Sequence, residues 1–198
     1  MTKHYVILIF LIIFLMFSSS GCITLREAYV PEQVLTEGWH ENKGKSEYGS
    51  NYFGLQRWSS FTYENGESVT LTVTTFKTLI MMDKTELLDK LEEEILKAGA
   101  SYGIEIDKGS KTKGSRTLGN GHKSSYLLYN GTKKEALYRI IGEVWSCSNS
   151  GVSVICLGLA DFSQIDGLAK WEKMVGDPNG TIDKAEREDG LIYNVNCH

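Results

Sequence analysis

Four oxygen-bearing side chains lie within ten residues of one another and could bind a calcium ion. They are Asp177, Asn179, Asp183 and Glu186. Their spacing follows part of a common calcium-binding loop, in which carboxylate and amide oxygens surround the ion and a glutamate closes the set. The first ligand position, however, is Val175, which has no ligating atom, and Pro178 lies inside the loop. A turn rich in Asp, Asn and Gly needs no metal, and we therefore favour no metal site here.

No arrangement of nucleophile and base typical of an enzyme occurs in the chain. The sequence has no Gly-x-Ser-x-Gly elbow, and its histidines are scattered rather than paired. His122 could act as a base in a loop, but a solvent-facing histidine in a turn is the simpler interpretation. The glycine-rich stretch 109–116 lacks the Gly-Lys-Ser/Thr ending of a phosphate-binding loop. We therefore expect neither catalysis nor a cofactor.

The N-terminus has the features of an export signal. Lys3 precedes an unbroken apolar run over 5–17, and small residues then lead to Cys22. A helix over that run would reach only about 20 Å, short of the ~30 Å hydrocarbon core of a bilayer. We therefore predict that residues 1–21 are a signal peptide. An uncleaved membrane span is the alternative, and because no further basic residue precedes Arg26, both interpretations place the remaining chain outside the cytoplasm.

The segment that ends at Cys22 resembles the lipobox of prokaryotic lipoproteins. Ser20, Gly21 and Cys22 match its small-small-cysteine ending, whereas Ser19 stands where leucine is usual. The resemblance implies a diacylglyceryl group on Cys22 and a protein anchored in the cell membrane by lipid, with its domain outside the cytoplasm. Cleavage after Gly21 without lipidation is the alternative. Membrane lipid is thus an expected partner, while a chain of net charge −4 has no general attraction to nucleic acid.

Outside the cytoplasm, the remaining cysteines can form a disulfide. The predicted turn between Cys147 and Cys156 sets Cys156 opposite a residue four positions before Cys147, which is about 13 Å along the strand. That distance exceeds the ~7 Å limit for the Cα atoms of a disulfide. Cys156 is therefore a buried apolar residue in our interpretation, and we predict a Cys147–Cys197 disulfide. Asn130 and Asn179, each in an Asn-Gly-Thr sequon, are candidate glycosylation sites of such an exported chain.

The periodicity of the apolar residues predicts the elements that position these groups. Alternation over 69–74, directly after Asn65-Gly66, predicts a hairpin. Asp83 and the glutamate three residues later form a capping box for a helix over 83–98, which Gly99 would end. The remaining predicted elements are a short strand over 102–106, a flexible loop over 107–116, strands over 124–129, 135–145 and 152–162, a helix over 163–175 and a last strand over 191–195.

Strands joined by tight turns must be antiparallel, and two amphipathic helices need a common apolar surface. We therefore predict an α+β fold, a single mostly antiparallel sheet with both helices on one face. This order of elements resembles the PsbP/Mog1-like α/β sandwich over 35–176, and the resemblance implies an accessory or interaction module without an activity of its own. We therefore divide the chain after the predicted signal peptide into two parts. A lipidated cysteine and a tether or entry segment occupy 22–50, and the extracytoplasmic domain occupies 51–198.

The combined prediction is a membrane-anchored lipoprotein whose domain is a non-catalytic binding or accessory module with a protein partner. Apolar residues make up 41% of the chain, which is enough for a core. The alternative is a solute-binding or sensor domain, with an enzyme as the third choice. The solute-binding or sensor domain would use the 177–186 loop or a cleft of aromatic residues. Those aromatic residues are Trp39, Tyr48, Tyr52, Phe53 and Trp58.

Overall fold

The computed structural model describes residues 28–36, 38–51 and 55–197, so the predicted signal peptide and Cys22 lie outside the described residues. The strands are β1 (Trp39–Glu41), β2 (Glu47–Asn51), β3 (Gln56–Asn65), β4 (Val69–Lys77), β5 (Glu105–Thr117), β6 (Lys123–Lys133), β7 (Ala136–Cys147) and β8 (Val152–Asp161). The helices are α1 (Lys84–Tyr102), α2 (Gly167–Trp171), which continues as a π-helix over Glu172–Gly176, and α3 (Lys184–Glu188). Two 3-10 turns occupy Glu32–Val34 and Leu191–Asn194.

The eight strands form one sheet in the order β1-β3-β4-β8-β7-β6-β5, and β2 also pairs with β3. Every described strand pair is antiparallel. The predicted α+β class with a mostly antiparallel sheet is therefore confirmed. The predicted register across the β7–β8 turn is also confirmed, because Cys147 pairs with Val152 and Cys156 lies opposite Glu143.

The two main helical segments lie on opposite faces of the sheet. Leu91 and Ile95 of α1 pack with Ile140 of β7, whereas Trp171 of α2 packs in a separate cluster with Ile141, the next residue of the same strand. Successive side chains of a strand point to opposite faces. The prediction that both helices cover one face is therefore wrong, and the ground for a PsbP/Mog1-like assignment is lost with it.

The central strands explain this arrangement, since residues 140–145 of β7 are all buried. A strand that is buried on both sides needs a cover on each face. Two glycines permit close packing at this centre. A side chain on Gly142 would collide with Leu91, and one on Gly158 would lie 2.8 Å from Ile141.

The N-terminal and C-terminal segments complete the layer opposite α1. Ala28 and Val30 are buried there with Leu191 and Val195. Tyr29 bridges to Asn196 in antiparallel fashion, and the amide of Val30 donates to the Tyr63 hydroxyl at 3.0 Å. The domain therefore begins well before residue 51, and the part of the predicted tether that the structure describes is folded.

Helix α1 begins at Lys84, directly after the predicted cap Asp83, and ends later than predicted. The Asp83 carboxylate accepts hydrogen bonds from the amides of Thr85 and Glu86, at 2.7 and 2.9 Å. The helix continues through Gly99 and ends at Gly103, which is left-handed with φ 68°. Gly99 serves packing instead of termination, because a Cβ there would lie 2.5 Å from Cδ1 of Ile106.

Several predicted loops and ends differ in the structure. The predicted flexible loop 107–116 belongs to β5, which pairs with β6 on both sides of a bulge. The Asn130-Gly131 pair lies inside β6, and the turn that follows centres on Lys134, with φ 57°. The second helix begins at Gly167 rather than residue 163, and the predicted last strand is a 3-10 turn. Polar side chains and glycines resemble a loop in sequence, although they also suit an edge strand such as β5.

Candidate functional site

A groove of about 650 Å³ runs between α1 and the part of the sheet that the helix does not cover. Helix α1 packs on the half of the sheet formed by β5 to β8, so the same face of β3 and β4 stays open beside it. The floor consists of Trp58, Ser60, Thr72, Thr74, Phe76, Ile155 and Leu157. The walls consist of Glu47, Asn51, Gln56, Lys90, Glu94, Lys97, Ala98, Ser101 and Tyr102.

The floor is polar because strands β3 and β4 alternate between two environments. Leu71 and Val73 of β4 face the core, whereas Thr72 and Thr74 face the groove. The Ser60 hydroxyl lies 3.0 Å from the hydroxyl of Thr74, opposite it on β4. The groove therefore presents a row of hydroxyl groups, each of which can donate and accept hydrogen bonds.

The indole of Trp58 forms a platform in the floor of the groove. Trp58 pairs with Gly49 of the neighbouring strand, and a Cβ on Gly49 would lie 2.8 Å from the indole ring. Glycine therefore allows the half-exposed ring to lie directly against β2. Tyr48 precedes Gly49 and points to the other face of the sheet, where it is 64% exposed.

The charged side chains that α1 contributes to the groove form ion pairs along the helix. The Nζ atom of Lys90 lies 3.3 Å from a carboxylate oxygen of Glu93 and 3.3 Å from one of Glu94. The Nζ atom of Lys97 lies 3.8 Å from the other carboxylate oxygen of Glu94. Burial acts to lower the pKa of Lys90, but its hydrogen bonds to Glu94 and Glu93 outweigh burial and raise that pKa above its ordinary value. The amine is therefore protonated at neutral pH and is unsuited to act as a nucleophile or base.

A second site lies at the end of the sheet where β5, β7 and the C-terminal segment meet. A ring nitrogen of His122 and the sulfur atoms of Cys147 and Cys197 all lie within 4.8 Å of one another. Both cysteines are fully buried, and His122 is half-buried in the β5–β6 turn. Among the described residues, this is the only group of three or more His, Cys, Asp or Glu side chains that could hold a metal ion.

Neighbouring groups direct N–H donors at the Cys197 sulfur. The Asn120 side chain donates to it at 3.9 Å, and to the Val195 carbonyl at 2.8 Å. Burial and the hydrogen bond with Cys147 raise the pKa of Cys197 to about 12, although the indole of Trp145 acts in the opposite direction. The buried Nε1 of Trp145 has no acceptor at hydrogen-bond geometry in the described part of the chain. Without a cation nearby, Cys197 is therefore a protonated thiol at neutral pH.

The structure brings together the two cysteines predicted to form a disulfide but contains no bond between their sulfur atoms. The Cys147 thiol instead donates to the Cys197 carbonyl at 3.4 Å. Cys156 is buried in the same core but does not belong to this group of three, and burial raises the pKa of its thiol well above the ordinary value. The disulfide between this pair stays a prediction, and sequence reasoning missed His122, which local spacing does not connect to either cysteine.

The candidate calcium ligands do not converge on a metal-binding group. Asp177 is fully buried, and one of its oxygens accepts from Arg139 at 2.9 Å and from the Trp171 indole at 3.0 Å. Its other oxygen accepts from the backbone of Asn179. The remaining candidates, Asp183 and Glu186, are exposed on α3 and at its start. Asp177 therefore fixes the turn after the π-helix through hydrogen bonds and charge.

The other predicted positions are divided among different environments. Trp39 is buried in the core, and Tyr52 and Phe53 lie outside the described residues, so only Trp58 of the aromatic set lines the groove. Asn130 and Asn179 are both exposed, which suits glycosylation. The Asn130 side-chain oxygen accepts from Arg139 at 3.1 Å.

Exposed apolar side chains are concentrated in the loop between β4 and α1. Leu79 and Ile80 are 78% and 85% exposed, and Met81, which follows them, is exposed as well. None of the described helices is both long and apolar enough to cross a bilayer.

The chain matches no protein family model, and no curated protein is significantly similar to it in sequence.

Proposed function

We propose that this protein is a membrane-anchored extracytoplasmic lipoprotein whose domain binds a saccharide in the groove beside α1, without catalysis. The observation that carries the binding role is the groove itself, in which an indole platform and a row of hydroxyl groups face one open channel. The anchor is the lipid on Cys22 that the lipobox resemblance implies.

The position of the first described residues supports attachment at one end of the sheet. Five residues separate Cys22 from the buried Ala28, so a lipid on Cys22 would hold Ala28 within about 20 Å of the bilayer surface. Ala28 lies beside the C-terminal segment, since Tyr29 bridges to Asn196. A domain attached there would present the same end of the sheet to the membrane.

The exposed apolar loop lies at that end. The carbonyl of Ser150, in the β7–β8 turn, accepts from Lys77 at 3.3 Å, and the hydroxyl of Ser150 donates to the Cys197 carbonyl at 2.9 Å. These bonds connect the end of β4 with the C-terminal segment. Leu79 and Ile80 follow β4 directly, and their exposure suits contact with a lipid surface.

The chemistry of the groove favours a saccharide over a peptide. The flat face of an indole packs well against the aliphatic C–H face of a sugar ring, and hydroxyl and amide side chains match the hydroxyl groups of a sugar. An extended peptide instead needs a free strand edge. The edge of β3 is already paired with β1 and β2, and strand faces form the floor of the groove.

Calorimetric titration of the full chain, in detergent, with soluble oligosaccharides tests the binding role. We expect Trp58→Ala to weaken binding by about 30-fold or more, as for loss of an aromatic anchor. Gly49→Ala should also weaken it, because the new methyl group displaces the indole. Tyr48→Ala is the matched control, since that exposed ring faces away from the groove, and its affinity should equal the wild-type value.

Two results would contradict the saccharide assignment. One is the absence of binding by the wild type to any oligosaccharide of a panel that covers neutral, amino and acidic sugars. The other is equal loss of affinity in Trp58→Ala and Tyr48→Ala, which would locate the contact outside the groove.

A further inference from the structure

The cluster of His122, Cys147 and Cys197 has no role in the groove or in membrane attachment. Its members come from three separate elements, the β5–β6 turn, the end of β7 and the C-terminal segment. Two buried thiols and an imidazole that meet within 4.8 Å are an unusual arrangement for packing alone. Thiolate and imidazole are instead the preferred ligands of Zn²⁺ and of other soft metal ions.

We propose that His122, Cys147 and Cys197 bind a zinc ion. Zinc bonds of about 2.3 Å to sulfur and ~2.0 Å to nitrogen place tetrahedral ligand atoms roughly 3.5 to 3.8 Å apart. The three atoms already lie within 4.8 Å, so side-chain rotation and a small shift of the turn bring them into range. The fourth ligand is a water molecule, which can enter from the half-buried side of His122.

Two N–H groups beside the Cys197 sulfur would support a thiolate once a metal ion is bound. Asn120 directs an N–H at that sulfur at 3.9 Å, and its carbonyl oxygen accepts from the His122 amide at 3.0 Å. One side chain therefore connects two of the ligands. The buried indole N–H of Trp145 lies near the same sulfur and has no other acceptor at hydrogen-bond geometry in the described residues. Donors of this kind orient metal ligands and stabilise the thiolate.

Metal binding requires both thiols to lose their protons. Each chain would therefore release two protons to solvent for each Zn²⁺ bound, with no change in oxidation state. The predicted disulfide between the same sulfur atoms excludes the metal site, because both sulfurs would then lack the charge that ligates zinc. A bound zinc ion and a Cys147–Cys197 disulfide therefore exclude each other, and one experiment distinguishes them.

The test uses the full chain, purified without chelator, in a metal analysis and a Co²⁺ titration of the reduced protein. We expect one zinc ion per chain, and a sulfur-to-cobalt charge-transfer band that Zn²⁺ removes. His122→Ala should weaken zinc affinity by at least about tenfold, since loss of even an outer-shell partner has an effect of that size. That turn position is half-buried, so the variant should fold.

Cysteine variants separate the site from the other thiol. Zinc addition should raise the melting temperature of the wild type. Cys147→Ser and Cys197→Ser should abolish both this rise and the cobalt band. Cys156→Ala is the control, because that cysteine is buried but lies outside the cluster, and it should keep both signals. A Cys147–Cys197 disulfide without zinc in the purified protein, or a zinc affinity unchanged in His122→Ala, would overturn the proposal.

Discussion

Replacing Arg116 by methionine should destabilise the protein strongly, because it leaves a buried carboxylate without its cation. Glu143 is fully buried on β7, and Arg116 binds both of its oxygens, at 2.9 and 2.5 Å. Ser124 donates to the same carboxylate at 2.5 Å. Arg116 also donates to the Gly176 carbonyl at 2.6 Å, which ties β5 to the layer formed by the C-terminal segment.

Removing one partner of a buried ion pair costs about 3–5 kcal/mol, because the other charge stays buried. For a domain of this size, 1 kcal/mol corresponds to roughly 2–4 °C in melting temperature. We therefore expect Arg116→Met to lower the melting temperature by about 6–20 °C. The double variant Arg116→Met/Glu143→Leu removes both charges and should recover much of that loss, since apolar replacement of a whole buried pair is often close to neutral.

Urea unfolding of the wild type, both single variants and the double variant, followed by tryptophan fluorescence, gives the coupling between Arg116 and Glu143. We expect a coupling of at least about 2 kcal/mol, because the two side chains share one network. A single Arg116→Met variant within ~1 kcal/mol of the wild type, or strictly additive effects, would refute the reasoning, since an isolated surface pair behaves in that way.

Two further predictions concern acid stability and helix packing. Hydrogen bonds from Lys45 and Asn42 hold the pKa of Glu64 below its ordinary value of 4.5, so this group stabilises the fold at neutral pH and loses that contribution as pH falls through the lowered pKa. Below about pH 4.5, the melting temperature of Glu64→Gln should therefore fall less than that of the wild type. An equal fall in both proteins would contradict the hydrogen bonds of Glu64 with Lys45 and Asn42. Gly99→Ala should lower the free energy of unfolding by about 1–3 kcal/mol, because the new methyl group overpacks against Ile106. Chemical denaturation measures this loss. If adding Ile106→Val restores none of it, overpacking against Ile106 is not the cause.

Local signals predicted the elements that depend on neighbouring residues. The Asn65-Gly66 turn, the Asp83 cap and the register that sets Cys156 opposite Glu143 all follow from a few adjacent positions. The face that each helix covers depends on burial across the whole sheet. The continuous apolar stretch 154–160 of β8 indicated burial on both faces and could have corrected that prediction.

The candidate sites depend on contacts between distant parts of the chain. Trp58 was singled out in the sequence as one of several aromatic residues, but its platform depends on Gly49, which only strand pairing reveals. The pair of Cys147 and Cys197 was predicted by excluding Cys156. His122 shares no motif with them, because turns and strand ends from three parts of the chain build that cluster. Sequence spacing alone carries no signal for such a site.

Membrane attachment through Cys22 is the central claim, and the mass of the N-terminal peptide from native protein extracted from membranes tests it most directly. We predict a mature chain that begins at Cys22 and carries a diacylglyceryl group, and a Cys22→Ser variant that no longer carries this lipid and leaves the membrane fraction. A membrane-bound protein that retains residues 1–21 and an unmodified Cys22 thiol would contradict the claim and identify an uncleaved membrane span instead.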